Sequence, residues 1–396
     1  MIAAFERMTG LGLRQQAPAW MVGLGHGATH WIAATFYLLL PYLTIEMGLS
    51  YTTAGLLVTT FHVCSLAANF GSGMVVDVLG RRVLVQAVAL VIGGLALTLM
   101  STADGIVTLL VLVGIIGATN NLWHPAAISF LSGAYPNNRG YALSIHTLGA
   151  TLGDSVAPLC IGALLAALTW RETAAWGSIP VYIVAVLVFV SLVRLERRAR
   201  VEAGTQRMTV AAYFSGIRLM IKDKAAMGLC LMAGFRSMTQ SGLMTGVGVM
   251  AMQMGAFVAG PAAGAWSDRI GRRPVVLAGA TGTTLTVLFL ALAGNEYIFI
   301  AGVSVLGFVL FAIRPVIQSW MMDLTPDNMH GSATSALFGV QSALSLPIPI
   351  IGGLIADSYG VGAVFYLLAA TMLIANVLVA MLPGAAKEDT AKQDDA

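Results

Sequence analysis

The chain has 396 residues, 58% of them hydrophobic and only 10% charged. Soluble domains carry about 25% charged residues, so 21 Lys and Arg with 18 Asp and Glu cannot coat a globule of 41.3 kDa, and the mean hydropathy of +0.83 agrees. This excludes a soluble enzyme, a nucleic-acid binder (the net charge is +3) and a disulfide-stapled secreted domain, since Cys64, Cys160 and Cys230 all sit in apolar runs as small hydrophobes.

At the N-terminus, Glu6, Arg7 and Arg14 precede an apolar stretch longer than a signal-peptide core, with no small-residue cleavage site, so a retained first span is predicted. A crossing needs about 20 apolar residues. That criterion predicts spans over 17–43, 52–76, 83–102, 106–131, 140–168 and 173–193. The segment 194–224 carries eight basic and three acidic residues. It reads as a cytoplasmic connector with an amphipathic stretch (Tyr213, Phe214, Ile217, Met220, Ile221) on the membrane surface; a dedicated anionic-lipid site is the alternative. Six further spans are predicted over 225–245, 246–267, 274–294, 297–322, 331–356 and 360–383, followed by a polar tail. The division is therefore a first six-helix bundle (1–193), a connector (194–224), a second six-helix bundle (225–383) and a cytoplasmic tail (384–396). The fold class is an all-α integral membrane protein of twelve transmembrane helices.

Orientation follows from the basic residues, which concentrate in cytoplasmic loops. With both termini inside, 18 of the 21 Lys and Arg are cytoplasmic, Arg171 alone is outside, and Arg236 and Arg314 lie within spans. Both termini are predicted cytoplasmic. The seventh and eighth spans are crowded: residues 225–266 form 42 residues without a polar loop, about 63 Å of helix at 1.5 Å per residue, just two crossings of a ~30 Å core. Gly246 and Gly248 are the expected turn, and a helix that falls short of spanning is an open alternative.

The halves repeat. Gly73-Met-Val-Val-Asp77-Val-Leu-Gly80-Arg81-Arg82 recurs as Gly264-Ala-Trp-Ser-Asp268-Arg-Ile-Gly271-Arg272-Arg273, 191 residues on, and the same offset links Gly140 to Gly331, Pro158 to Pro349 and Gly162 to Gly353. The glycines are expected to let the second and third helices of each half turn tightly and approach closely. The arginines hold the loop at the surface. Each Asp, at the membrane edge, can face the positive N-terminal end of a neighbouring helix and act as a latch that breaks when two bundles rock apart. A simple topology anchor would explain Arg-Arg but not the paired Asp and Gly.

A duplicated six-helix unit with this loop string is similar to the major facilitator superfamily of secondary transporters, across essentially the whole chain. The resemblance implies two bundles around a central cavity that opens alternately to each side, a small-molecule substrate, protons as coupling ion and residence in a bacterial inner membrane. More narrowly, Trp123-His124-Pro125-Ala126, Gly149-Ala-Thr-Leu-Gly153-Asp154-Ser-Val-Ala157-Pro158-Leu159, and Phe235-Arg236-Ser237 through Gly242-Leu243-Met244-Thr245 resemble the fosmidomycin-resistance type of bacterial drug exporter. In that type the position of His26 matches, whereas an acidic residue is expected where His30 stands. The fourth-span arginine of many proton-coupled drug antiporters is missing here; the nearest substitute in the repeat is Arg314.

Ionisable groups are costly inside a bilayer and mark functional candidates. Asp154 is the only carboxylate near the middle of a span, and a carboxyl that loads and unloads a proton there can couple proton flow to bundle movement; packing or substrate contact are its alternative roles. His26 and His30 are one helical turn apart on one face and are the other proton-coupling candidates. A metal site is not expected, because no third ligand has a defined spacing, and His62 supplies one only if the second span faces the pair. His124 precedes Pro125, which tends to kink the helix; with Asn120, Asn121 and Trp123 it reads as cavity lining. His146 reads as structural. Arg236 and Arg314 need partners: one or both are expected to face the cavity and attract an anionic substrate, with Gln240 alongside, or else to pair with helix-end carbonyls or Asp323.

The leading expectation is proton-coupled export of small organic molecules. Proton-coupled uptake of a small anionic metabolite is the close rival, and a transport-inactive sensor or assembly protein is the alternative of another class. No G-x-S-x-G, H-E-x-x-H or Walker string occurs, so neither an enzyme nor a built-in ATP motor is expected, and no cofactor. Each chain supplies both bundles, so a monomer is expected.

Overall fold

The computed structural model describes residues 6, 9–49, 51–202, 209–244, 249–345 and 347–382, and over these the chain is helical with no strand. The first set of helices is α1 (Leu13–Glu46), α2 (Tyr51–Leu79), α3 (Arg82–Met100), α4 (Ile106–Ala134), α5 (Arg139–Leu165) and α6 (Trp170–Glu202). A short helix, α7 (Val210–Lys222), leads into α8 (Lys224–Met244), α9 (Val249–Ile270), α10 (Arg272–Ala291), α11 (Glu296–Asp323), α12 (His330–Ser345), α13 (Ile348–Tyr359) and α14 (Val361–Met381).

Two elements differ from expectation, each for a local reason. The helix α6 runs nine residues past 193, because Arg194 to Glu202 contains no Gly or Pro to stop it. The eleventh span is two helices: Pro347 lacks an N–H and separates α12 from α13. The expected turn at Gly246 and Gly248, and the tail 384–396, lie outside the described residues. The flanking α8 and α9 have 21 and 22 residues, about 31–33 Å each, so neither is too short to cross a ~30 Å core. The connector helix α7 is amphipathic, with Tyr213 and Met220 buried and Phe214, Leu219 and Ile221 exposed, and the Thr209 hydroxyl caps it through the Ala212 N–H at 3.2 Å.

Eight of these helices are individually long and apolar enough to cross a membrane. Among the spans outside that set, α2, α9 and α12 form the seam between bundles: α2 packs on α12 and α9 on α5, with α4–α12 and α5–α11 beside them. Small and polar residues replace large apolar ones there, since lipid supplies no hydrophobic drive and helices associate by close packing. For the same reason large side chains such as Val107, Leu159 and Leu292 point outward. At the face opposite the start of α1, Arg171 ties the first bundle together. Its Nε donates to Glu46 at 3.0 Å, and its Nη1 donates to the carbonyls of Ser101 and Ala103.

Candidate functional site

The site begins with four glycines. Gly23 and Gly27 on α1 cross Gly149 and Gly153 on α5; a methyl group on Gly27 would lie 2.9 Å from the Gly149 carbonyl, one on Gly23 would lie 2.9 Å from the Ile145 carbonyl, and methyls on Gly149 or Gly153 would strike the carbonyls of Gly23 and Gly27. Only glycine lets these two backbones run so close. That contact brings His26 and His30 of α1 against His146 and Asp154 of α5.

His26, His124 and His146 are buried together. The His26 Nδ1 donates to the His146 carbonyl at 2.6 Å, and the His124 Nδ1 donates to the Asn120 carbonyl at 2.9 Å. Their Nε2 atoms face each other at 3.1 Å. His146 stacks flat on His26, with ring centroids 3.8 Å apart. It therefore joins the group from which its place in the chain had separated it. His30 stands edge-on to His26, and its Nδ1 lies 2.9 Å from Asp154 Oδ1. One ring nitrogen each of His26, His30 and His124 falls within 4.8 Å of the others, a spacing that can hold a metal ion. The third imidazole is His124 and not His62, whose Nε2 is instead 3.1 Å from the Tyr37 hydroxyl.

Asp154 lies near the middle of α5, yet its side chain is 40% exposed and that of His30 is 23% exposed, so the pair opens onto space at the seam. Across it, Arg314 of α11 is close enough to feel the Asp154 charge, whereas Asp323 is engaged elsewhere, by Arg139 at 2.9 Å and Arg272 at 2.8 Å. The other cavity candidates divide. Asn120 donates to the Thr29 carbonyl at 3.3 Å and Asn121 to the Ser65 carbonyl at 2.9 Å, tying α4 to α1 and α2. Trp123 is not cavity lining: it is fully buried in the first bundle's core, its ring filling the space beside Gly25. Arg236 is 1% exposed inside the second bundle, with Nη1 donating to the Leu310 carbonyl at 3.1 Å, so it braces α8 against α11 and does not line open space. Gln240 is in α8, its side chain outside the described residues. An apolar hollow of about 440 Å³ between α1, α5 and α6 is lined by Trp20, Leu24, Trp31, Leu152 and Val184 and holds none of these ionisable groups. It is a flank of the first bundle, away from the chemistry.

The repeated loop strings lie at the face where α1 begins and α14 ends. The Asp77 carboxylate accepts the N–H groups of Gly331 at 3.1 Å and Ser332 at 2.9 Å, and the Ser332 hydroxyl, at the start of α12. The Asp268 carboxylate accepts those of Gly140 at 3.0 Å and Tyr141 at 3.1 Å, at the start of α5, and pairs with Arg272. Each half thus caps a helix of the other half at its positive end. The repeat landmark Gly140/Gly331 is where each cap lands, and a Cβ at Gly331 would lie 2.7 Å from Asp77 Oδ1. The motif glycines divide their work. Gly80 and Gly271 take the left-handed turn, at φ 57° and 96°. Gly73 and Gly264 do not serve the second–third helix contact: they press on α12 and α5 of the opposite bundle, a Cβ on Gly73 meeting Ser332 Cα at 2.7 Å. Arg139 adds ion pairs across the seam to Asp323 and Asp327, and Arg82 donates to the Asp327 carbonyl at 3.2 Å. Arg81 is exposed and Arg273 donates to the Ala380 carbonyl.

A family model described as Major Facilitator Superfamily matches residues 22–245 and 234–395. The multidrug resistance protein MdtG of Serratia proteamaculans (strain 568) is 37% identical over 123 residues, 31% of this chain and 29% of its own length. MdtG of Yersinia enterocolitica is 33% identical over the same extent. The match therefore spans less than a third of these relatives. Among solved structures, the E. coli fucose:proton symporter FucP is similar with a TM-score of 0.72 at 14% identity, covering 93% of this chain and 99% of that one. A bacterial homologue of the iron transporter ferroportin, in an outward-facing state, has a TM-score of 0.70 at 13% identity, covering 92% and 98%. At such identity the likeness concerns the fold. With the family model matching both halves of the chain, and with this twelve-span architecture, the chain belongs to the Major Facilitator Superfamily of secondary transporters.

Proposed function

We propose that the protein is a proton-coupled exporter of small organic molecules, working as a monomer in a bacterial inner membrane with both termini in the cytoplasm. The observation that carries this reading is the His30–Asp154 pair: a carboxylate at mid-membrane, partly open to the seam and opposed by Arg314. Proton loading at Asp154 weakens its attraction to Arg314, and unloading restores it, so the proton state biases how the bundles sit. The distribution of basic residues favours the cytoplasm for the latched face, and closure there fits an arrangement that faces outward. The MdtG relatives favour drug-like substrates, and the segments around His124, Asp154 and Arg236 support the narrower likeness to the fosmidomycin-resistance type. Arg314 favours one second reading, uptake of a small anion, because a cation at the seam attracts anionic ligands.

The test is growth of an exporter-stripped bacterium expressing wild type or Asp154→Asn at equal membrane amounts, against a panel of toxic compounds. Export predicts a severalfold rise in tolerated concentration for at least one compound, lost in the variant. No resistance from well-inserted wild type would count against export, and unchanged resistance in the variant would remove Asp154 from coupling.

A further inference from the structure

The tautomers of His26 and His124 are set by their backbone partners. A carbonyl oxygen only accepts, so the Nδ1 of His26, 2.6 Å from the His146 oxygen, and the Nδ1 of His124, 2.9 Å from the Asn120 oxygen, both carry hydrogen. A neutral imidazole has one N–H, which leaves a lone pair on each Nε2. Those two atoms nevertheless face each other at 3.1 Å. Lone pairs repel at that separation, and a proton held between them turns the contact attractive. We infer that His26 and His124 share one proton, a bridge Nε2–H⁺···Nε2 that joins α1 to α4. This deepens the proton-coupled reading of the same site and rests on it for any role in transport.

The geometry favours a proton over a metal. A separation of 3.1 Å falls in the ~2.7–3.2 Å range of N–H hydrogen bonds. Two imidazoles on a tetrahedral zinc at about 2.0–2.1 Å would stand about 3.3–3.4 Å apart. The trio with His30 spreads to 4.8 Å, and the Nδ1 of His30 is turned to Asp154. Charge discriminates in the same direction. Among the described residues, the groups facing the bridge are His30 from α1, His146 from α5, Arg314 from α11 and, from α12, the Phe338 ring edge-on to His124. Asp154 pairs with His30 and not with the bridge, so Arg314 and His30 act against any cation here, and they act against a dication more than against a proton. Among the described residues neither ring nitrogen of His146 has a hydrogen-bond partner, and the ring presents its flat face to His26. A π face laid on a charged imidazole attracts it electrostatically without taking the proton. The bridge and the His30–Asp154 pair thus form two proton stations one helical turn apart.

The test is solid-state nitrogen NMR of the full chain, with ¹⁵N-labelled histidine, in lipid bilayers at pH 7 with a chelator present. A shared proton predicts a through-hydrogen-bond coupling between Nε2 atoms of two different rings, lost in His124→Gln and in His26→Gln. Two bare Nε2 signals without inter-ring coupling would overturn the bridge. So would an inter-ring connection that appears only with added Zn²⁺ and vanishes with chelator. The wild-type spectrum decides by itself, so a variant that fails to fold does not blunt the test. No transported compound enters it: its failure leaves export standing, and failure of the growth screen leaves the bridge standing.

Discussion

A carboxylate that caps a helix belonging to the other bundle is the smallest unit of the mechanism. Asp77 takes two backbone N–H groups and a hydroxyl at the start of α12, and Asp268 takes two N–H groups at the start of α5. Removing a charge from such a cap costs about 1–2 kcal/mol, which shifts a two-state balance by about five- to thirtyfold. Asp77→Asn is therefore expected to open the latched face. A single cysteine placed at buried Ser72, in a background free of the native cysteines, should react with a maleimide about five to thirty times faster in the variant; an unchanged rate would show that this cap does not hold the face shut. Asp268→Asn should act more weakly, because losing its charge also releases Arg272, which retains Asp323 as a partner at 2.8 Å. Both aspartates were legible in the sequence, since motif and repeat singled them out. Their landing sites were legible only as landmarks: no local pattern ties Asp77 to a glycine 254 residues away. His146 was hidden for a different reason. It contributes a carbonyl and a ring face to the cluster, and neither leaves a trace in residue type or spacing. Arg139 is one of the 18 basic residues whose number fixes orientation, and its place immediately before the Gly140 landmark is the available signal for its pairing across the seam.

At the scale of elements, the glycine crossing of α1 and α5 decides whether the histidines meet at all. A side chain at Gly149 would strike the Gly23 carbonyl, whereas nothing lies within 4 Å of a Cβ at Gly162 on the same helix. Gly149→Val is expected to destabilise by about 1–3 kcal/mol through overpacking and to part His26 from the His146 carbonyl. Gly162→Ala should be neutral or stabilising by up to about 1 kcal/mol, the helix preference of alanine over glycine. Thermal unfolding in detergent, followed by size-exclusion elution, separates the two; equal midpoints would refute the crossing as a tight contact. Helix number and order were readable because each apolar run carries its own length signal. Breaks inside runs were not: α12 and α13 read as one span because Pro347 sits in an apolar context, and a single proline in a membrane helix as often kinks as breaks. The pairing of α1 with α5 was equally unreadable, since small residues recur in most of these helices and only the fold selects which stripes face each other.

The two halves share a backbone plan and divide the chemistry between them. The latches exchange symmetrically across the seam, Asp77 reaching the second half and Asp268 the first, so the bundles can separate at that face only by losing both. The central charges are not symmetric: the imidazoles and Asp154 belong to the first half, and Arg314 to the second. Rocking the bundles therefore changes the distance between unlike charges, and any proton on Asp154 changes the energy of that motion. If this link operates, Asp154 and Arg314 are coupled in the double-mutant sense. Asp154→Asn leaves Arg314 without its counter-charge, and Arg314→Gln does the reverse, so each alone should lower the unfolding midpoint, while the double variant loses less than the sum. Because Asp154 is 40% exposed, water screens the pair, and the coupling should be about 0.5–1 kcal/mol, or a few degrees at most. It should also shrink in about 0.5 M salt, where screening reaches only a few ångströms. Strict additivity at low salt would mean that the two bundles do not sense one another through these charges, and the coupling would then have to pass through the caps alone.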